Sequence, residues 1–402
     1  MNSDVTAPLN HDGSWSALAR AVFAALLKHG TLTRAAIAEL TGLSRVSASG
    51  VVDQLIHRGF VEHVGSLPSS GGPNARAYSL ASDAAYAVGV AVDLDRIAVM
   101  TTDVSGAVVS RHDEPIDDHD AVVSAVHRAI TAQLRRLDAP LSKLRYVVLG
   151  AAGVVDPLAH ELAFATNRTS WQPSLAAELR ARLKCPAVFE NDVNLAALAE
   201  ARLGAGKGGG DLVLVWVDTG IACGAILGGR LFRGASGWAG ELGFVPAAVV
   251  GAADKVPDSP VPVATTLQQS IGIKGVIALA KSKGVDVDHL LRFETAAPDD
   301  AAEPVLTELV GRIAAAVAAP VLVFDPGLVV LAGCIVRGGG DALLGRVRAQ
   351  LAAIAPIPVR VEMSQTGPDA ILAGAMLLAL DHARDNLFEI ADETPAVQGA
   401  AV

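Results

Sequence analysis

The chain has 402 residues, 51% of them hydrophobic and 18% charged, with a formal net charge of -10 and three cysteines. That length holds two or three domains with a full core, and the hydrophobic share excludes a disordered chain. Cys185, Cys223 and Cys334 stand apart in the sequence, without the spacing of a zinc site or a disulfide framework.

Residues 1–13, MNSDVTAPLNHDG, carry no basic segment leading into an apolar stretch, so they read as a flexible N-terminus and not as a secretory signal. The longest apolar region, 313–331, is interrupted by Asp325-Pro326-Gly327 and reads as helix, turn and strand, whereas a membrane span needs about 20 mostly apolar residues. The expectation is a cytoplasmic protein with no membrane partner.

Charge divides the chain. Between Gly13 and Leu80 the balance is +3, leaving -13 for the remainder, and a small basic module on an acidic body suits contact with a polyanion. Leu18, Val22, Leu26 and Leu27 form a helical apolar stripe that ends at Gly30. RAAIAEL follows Thr33 with Ile37 and Leu40 on one side, Thr41-Gly42-Leu43 turns, and Ser44 caps a second helix, RVSASGVVDQLIHRG.

In that second helix Val46, Val51, Leu55 and Ile56 are expected inward. Ser44, Arg45, Ser47 and Ser49 supply short hydroxyls and a guanidinium fork to base edges in a major groove, and Arg34 joins the candidate DNA contacts. Beyond Gly59, two short strands around a Gly/Pro/Ser loop form a wing with Arg76 near phosphate reach. Residues 14–82 therefore read as a winged helix-turn-helix domain for a double-stranded DNA operator. One module at +3 makes few phosphate contacts, so a homodimer or higher homo-oligomer is expected.

From Ala87 the pattern changes to three short strands, VGVAV, RIAVMTT and AVVSR, and a helix over 120–137. Strands in YVVLGAAG, PAVFE, DLVLVWVD, ACGAILGG and GLVVLAG alternate with helices near 174–184, in NLAALAEARLG, near 341–354 and near 369–384. That alternation predicts two similar α/β lobes with mixed sheets and a ligand cleft between them. The domain spans 83–385, and 386–402 reads as a flexible tail. Gly204–Gly210, GAGKGGG, invites a P-loop reading, but it lies between a helix and a strand and no Ser or Thr follows the lysine.

Three stretches in order, FENDVNLAALAE at 189–200, DTGIACGAILGGRLFRGASGWAGELGF at 218–244 and DPGLVVLAG at 325–333, resemble the ROK family of repressors and sugar kinases. The winged helix ahead of them resembles the family's regulators, of the xylose and N-acetylglucosamine repressor type. The resemblance implies an actin-like, ribonuclease H-like core in two lobes. It places Asp192 at the kinase base position and Asn167, Asn191, Asp192 and Glu241 against sugar hydroxyls.

Two departures from the family pattern bear on function. Where the kinases carry an Asp-x-Gly-Gly-Thr phosphate turn, this chain has Ala91-Val92-Asp93-Leu94-Asp95, so side chains and carboxylates replace close glycine backbone. ATP binding and catalysis are not expected. Where the family has Gly-His after the glutamate, this chain has Gly243-Phe244, and no Cys or His follows through Ala264, so the family zinc is expected to be absent. The resulting expectation is a regulator, a repressor of carbohydrate genes, whose kinase-like domain senses a sugar or sugar derivative. The alternatives are an active ROK carbohydrate kinase and a ligand-blind regulator whose pocket Phe244 fills.

Overall fold

Three helices and a hairpin build the N-terminal module in the computed structural model, whose described residues are 14–69, 72–93, 95–116, 122–165, 175–247, 266–285, 302–355 and 358–388. Helix α1 (Ser14–His29) buries Ala19, Val22, Phe23 and Leu26. Helix α2 (Arg34–Thr41) starts at Thr33, whose hydroxyl accepts from the Ala36 amide at 3.2 Å, and ends at Gly42 with φ 69°. Helix α3 (Arg45–His57) buries Ala48, Val51, Val52 and Leu55, a helical period that fixes its inner face.

That period corrects the placement of Val46. Lying two residues before Ala48, it points about 200° away around the helix, and it is 83% exposed. Leu40, also expected on an inner face, is exposed. The wing strands β2 (Val61–Ser69) and β3 (Gly72–Leu80) pair antiparallel and are longer than the sequence suggests, and β1 (Leu32–Thr33) adds a short third strand against β3.

The body holds two five-stranded sheets of one topology. In the first, β4 (Tyr86–Val92), β5 (Arg96–Asp103) and β6 (Val108–Pro115) form an antiparallel meander. Strand β7 (Leu144–Ala151) then joins parallel to β4, and β10 (Ala187–Asn191) parallel to β7. Between them runs a hairpin, β8 (Gly153–Val155) and β9 (Leu162–Ala165). The second sheet repeats the plan: β11 (Leu212–Val217), β12 (Ile221–Leu227) and β13 (Arg230–Phe232) meander, then β14 (Leu328–Ala332) and β15 (Arg360–Met363) join in parallel.

Helices α4 (Val122–Arg136) and α5 (Leu175–Leu183) share a core with the first sheet. Helices α7 (Leu267–Ile271), α8 (Ile273–Ser282), α9 (Glu303–Phe324) and α10 (Cys334–Ile354) share one with the second. Helix α9 is long and apolar enough to cross a membrane by length and composition, yet 61% of its most apolar window is buried inside the protein. Helix α10 breaks at Gly340 (φ 54°, ψ -153°).

The remaining two helices exchange lobes. Helix α6 (Asp192–Leu203) follows the first sheet, yet its Val193, Ala196 and Ala197 pack with Leu212, Leu214 and Ile226 of the second. Helix α11 (Ala370–Asn386) follows the second sheet, yet its Ala375, Ala379, Leu380 and Ala383 pack with Ala87 and Val148 of the first. The two cross in backbone contact: a Cβ on Gly374 would stand 2.0 Å from the Leu195 carbonyl oxygen. Gly89 makes similar room in β4, where a Cβ would come within 2.3 Å of the Met376 amide.

Past the end of α11, Leu387 and Phe388 are buried in the core of the winged helix, which corrects the expectation of a flexible tail from residue 386. Phe388 meets Phe23 edge-on at 5.6 Å and Phe60 at 6.4 Å. Arg20 lies 5.2 Å over the Phe388 ring and donates to the Asp385 carboxylate at 2.7 Å. Two apolar residues at the end of a helix look frayed in sequence because their partners lie more than three hundred positions away. Phe388→Ala is expected to cost about 3–5 kcal/mol through the cavity it leaves. Calorimetry should then resolve an earlier transition for the winged helix, and an unchanged melting profile would show that α11 does not brace it.

Candidate functional site

Four of the six candidate DNA contacts lie on the surface. Ser44 caps α3, its hydroxyl accepting from the Ser47 amide at 3.0 Å and lying 2.8 Å from the Ser47 hydroxyl. Both serines and Arg45 are exposed, and Arg76 is exposed on β3 opposite Ser66. Val46, missed by sequence reasoning because it is apolar, stands among them and offers methyl groups suited to a thymine C5-methyl.

The other two are turned inward on each other. Arg34 donates to Tyr78 Oη at 3.0 Å, to Ser49 Oγ and to both oxygens of the Asp53 carboxylate, with its guanidinium 5.0 Å from the Tyr78 ring centre. This network ties the start of α2 to α3 and to the wing, so it sets the angle at which α3 is presented. Arg34 and Ser49 position the surface that Ser44, Arg45 and Ser47 form.

In the body, β10 delivers the Glu190-Asn191-Asp192 run to the mouth of the interlobe cleft. Glu190, buried, accepts from the Asn191 amide, from Asn194 Nδ2 at 2.9 Å and from Arg233 Nε at 2.6 Å. Sequence reasoning passed over this pair, although both members lie in the stretches that carry the family resemblance. Asn191, not Asp192, is the helix cap: its Oδ1 accepts from the Asn194 amide at 2.9 Å and its Nδ2 donates to the Gly153 carbonyl at 2.9 Å. Asp192 opens α6 with its carboxylate accepting from the Val193 amide at 2.8 Å.

Asn191, Asp192 and Glu241 line one cavity of about 440 Å³, with Trp216, Thr219, Gln268 and Gln269. Asn167 and its neighbour Trp171 lie outside the described residues. Desolvation pushes the Asp192 carboxyl up to about 6, helped by the charges of Asp93 and Asp218. Burial also raises Glu241, with Asp192 adding to the shift. The cleft thus gathers carboxylates whose mutual repulsion disfavours an anionic ligand and whose oxygens accept from hydroxyls.

Two carboxylates stand where the resemblance places the phosphate-binding side of the cleft. The amide of Asp93 donates to the Arg96 carbonyl at 2.9 Å in a tight hairpin. At the N-terminus of α10, where a helix favours an anion, the Cys334 amide donates to the Asp218 carboxylate at 2.9 Å. The chain's own carboxylate holds that position.

Phe244 does not fill the pocket. It is 53% exposed at the rim, and the cavity stays open beneath it. It offers no ligand atom, so the residue at the family's histidine position does not fit a zinc ion. Helix α7 is anchored by other bonds: Thr266 and Gln269 form a capping box, the Leu267 amide donates to the Val245 carbonyl, and Gln268 accepts from the Ile221 amide and donates to the Thr219 carbonyl at 3.2 Å each. Gln268 and Thr219 are cavity residues that sequence reasoning missed, because their contact spans 49 positions.

A model of the ROK family matches residues 87–382, and one described as the sugar-specific transcriptional regulator TrmB matches residues 19–78. The chain is 30% identical over 228 residues to a xylose repressor of Bacillus subtilis strain 168, covering 55% of this chain and 58% of that protein. It is 27% identical over 234 residues to the DNA-binding transcriptional dual regulator NagC of Escherichia coli K12, covering 58% and 57%. The chain therefore matches little more than half the length of these curated relatives.

Among solved structures, a ROK family transcriptional regulator described as a homologue of the E. coli MLC protein covers 94% of this chain and 99% of its own, with a TM-score of 0.75 at 15% identity, a likeness of fold. A ROK family glucokinase from Streptomyces griseus, in complex with glucose and AMPPNP, covers 74% and 99% with a TM-score of 0.59 at 25% identity. The family model takes in both lobes and well over half of the sequence, and the chain belongs to the ROK family.

Proposed function

We propose that this protein is a DNA-binding transcriptional repressor of carbohydrate genes, with a kinase-derived body that senses a sugar or sugar derivative. The observation that carries this reading is the joining of an exposed helix α3 to a cleft lined by Asp192 and Glu241, with Asp93 and Asp218 near enough to raise the Asp192 carboxyl. A xylose repressor and NagC among the relatives support it.

The protein acts without phosphoryl transfer. A triphosphate would approach Asp93 and Asp218 with no compensating glycine turn, so binding energy goes into lobe arrangement and not into chemistry. It also works without a resident metal, α7 being held by its capping box and by Gln268. The open cavity beneath Phe244 favours a ligand-sensing body over a ligand-blind one.

The regulator works in the cytoplasm as a homodimer or higher homo-oligomer, because one winged helix contacts only a half-site. Leu322 and Val323 at the end of α9 are 60% and 74% exposed and lie beside the Phe324–Phe232 ring contact, which gives a second copy an apolar face to cover. Effector binding alters the lobe angle, and α11 carries the change to the winged helix.

Two experiments test this reading. Arg45→Ala should weaken binding to the protein's own upstream DNA about tenfold or more, as expected for one base-reading arginine, with little change on a scrambled duplex. An unchanged footprint and affinity would remove α3 from the recognition surface. Ionised Asp192 accepts from a ligand hydroxyl more strongly than its protonated form does, and burial pushes its carboxyl up to about 6, so effector affinity should fall as pH drops through that value. Asp192→Asn should lower affinity at neutral pH and abolish that pH dependence while DNA binding persists. A pH-independent affinity equal in both proteins would place the effector elsewhere.

A further inference from the structure

Three aromatic rings make a continuous wall at the rim of the effector cavity. Phe164 on β9 stacks on Trp238 at 6.0 Å with planes 28° apart, Trp238 meets Phe244 edge-on at 5.2 Å, and Phe244 meets Phe164 at 6.3 Å. They are 44%, 45% and 53% exposed, respectively for Phe164, Trp238 and Phe244. Phe164 and Phe244 line the same cavity as Asp192 and Glu241. A contiguous patch of large apolar rings facing water is costly to leave uncovered, and beside a polar cavity it marks a ligand surface.

Size and charge narrow the ligand. The cavity of about 440 Å³ has room for roughly fifteen waters at about 30 Å³ apiece, and a single hexose, whose dozen or so bonded heavy atoms pack more closely than as many waters, leaves part of it unfilled. The carboxylates at the inner end disfavour a phosphorylated or otherwise anionic group. The rim offers ring faces, which attract the C–H face of a pyranose or the edge and face of an aryl group.

We propose that the effector is a non-anionic two-ring glycoside: its sugar unit lies against Asn191, Asp192 and Glu241, and its second ring stacks on the wall of Phe164, Trp238 and Phe244. The proposal rests on the sugar-sensing reading above and adds the second ring to it. The second ring is an aryl group or another sugar, two sources of the same stacking chemistry.

Calorimetric titration of the full chain tests this with matched methyl glycosides, phenyl glycosides and disaccharides of glucose, xylose, galactose and N-acetylglucosamine in both anomers. For the sugar that is recognised, the phenyl glycoside or the disaccharide should bind about tenfold more tightly than the methyl glycoside. Tight binding in the phenyl series alone assigns an aryl group, and tight binding in the disaccharide series alone assigns a second sugar. Phe244→Ala and Trp238→Ala should each bring that ratio close to one. Both residues are half-exposed, so each variant should keep its fold, which circular dichroism checks. Equal binding of one-ring and two-ring ligands, or a ratio that neither variant changes, overturns the aromatic subsite and leaves sugar sensing standing. Binding of none of these glycosides overturns both.

Discussion

Helices α6 and α11 cross in backbone contact, and both ends of the molecule depend on that crossing. Because Gly374 has no side chain, α11 rests on the Leu195 carbonyl with no spacer to absorb movement. Each helix follows one sheet in sequence and packs on the other, so a change in lobe angle has to displace both. The first residue of α6 is Asp192, in the cleft, and the last turn of α11 leads into Leu387 and Phe388, in the core of the winged helix. One rigid joint therefore lies between the cavity and the winged helix.

Electrostatics gives that joint its direction of use. Asp93, Asp192, Asp218 and Glu241 crowd one cleft, and burial raises two of them. A kinase would spend a metal and a phosphate-binding turn to make such a site accept a nucleotide. Here Asp218 accepts from the amide that opens α10, so the anion position of that helix is satisfied from within. An anionic ligand is disfavoured there, while hydroxyl donors suit these carboxylates. The difference in interaction energy between lobe arrangements then has to come from how well each closes on such a ligand.

Much of this was legible in the sequence where the signal is local. The Ser44 cap and the Ala48, Val51, Leu55 period define α3, and the repeated run of three strands announces each lobe. Val46 was misplaced because it is apolar, although its phase relative to Ala48 puts it outside. The Arg34, Asp53 and Tyr78 network was illegible because its members are 19 and 44 positions apart and each looks like a surface residue alone. Strands β9, β13 and β15 carry three or four residues, too few to show an alternation. Asp192 and Glu241 came from the family resemblance, whereas Gln268 and the Glu190–Arg233 pair needed the folded chain.

The central claim is that occupancy of the cleft and affinity for DNA are linked through α6 and α11. The most direct measurement is the dissociation constant for the protein's own upstream DNA, by fluorescence anisotropy, without effector and at saturating effector. The account predicts a change of about fivefold or more, with the same factor separating effector affinity for free and DNA-bound protein, since coupling is reciprocal. An identical DNA affinity in both conditions, with effector demonstrably bound, would contradict it.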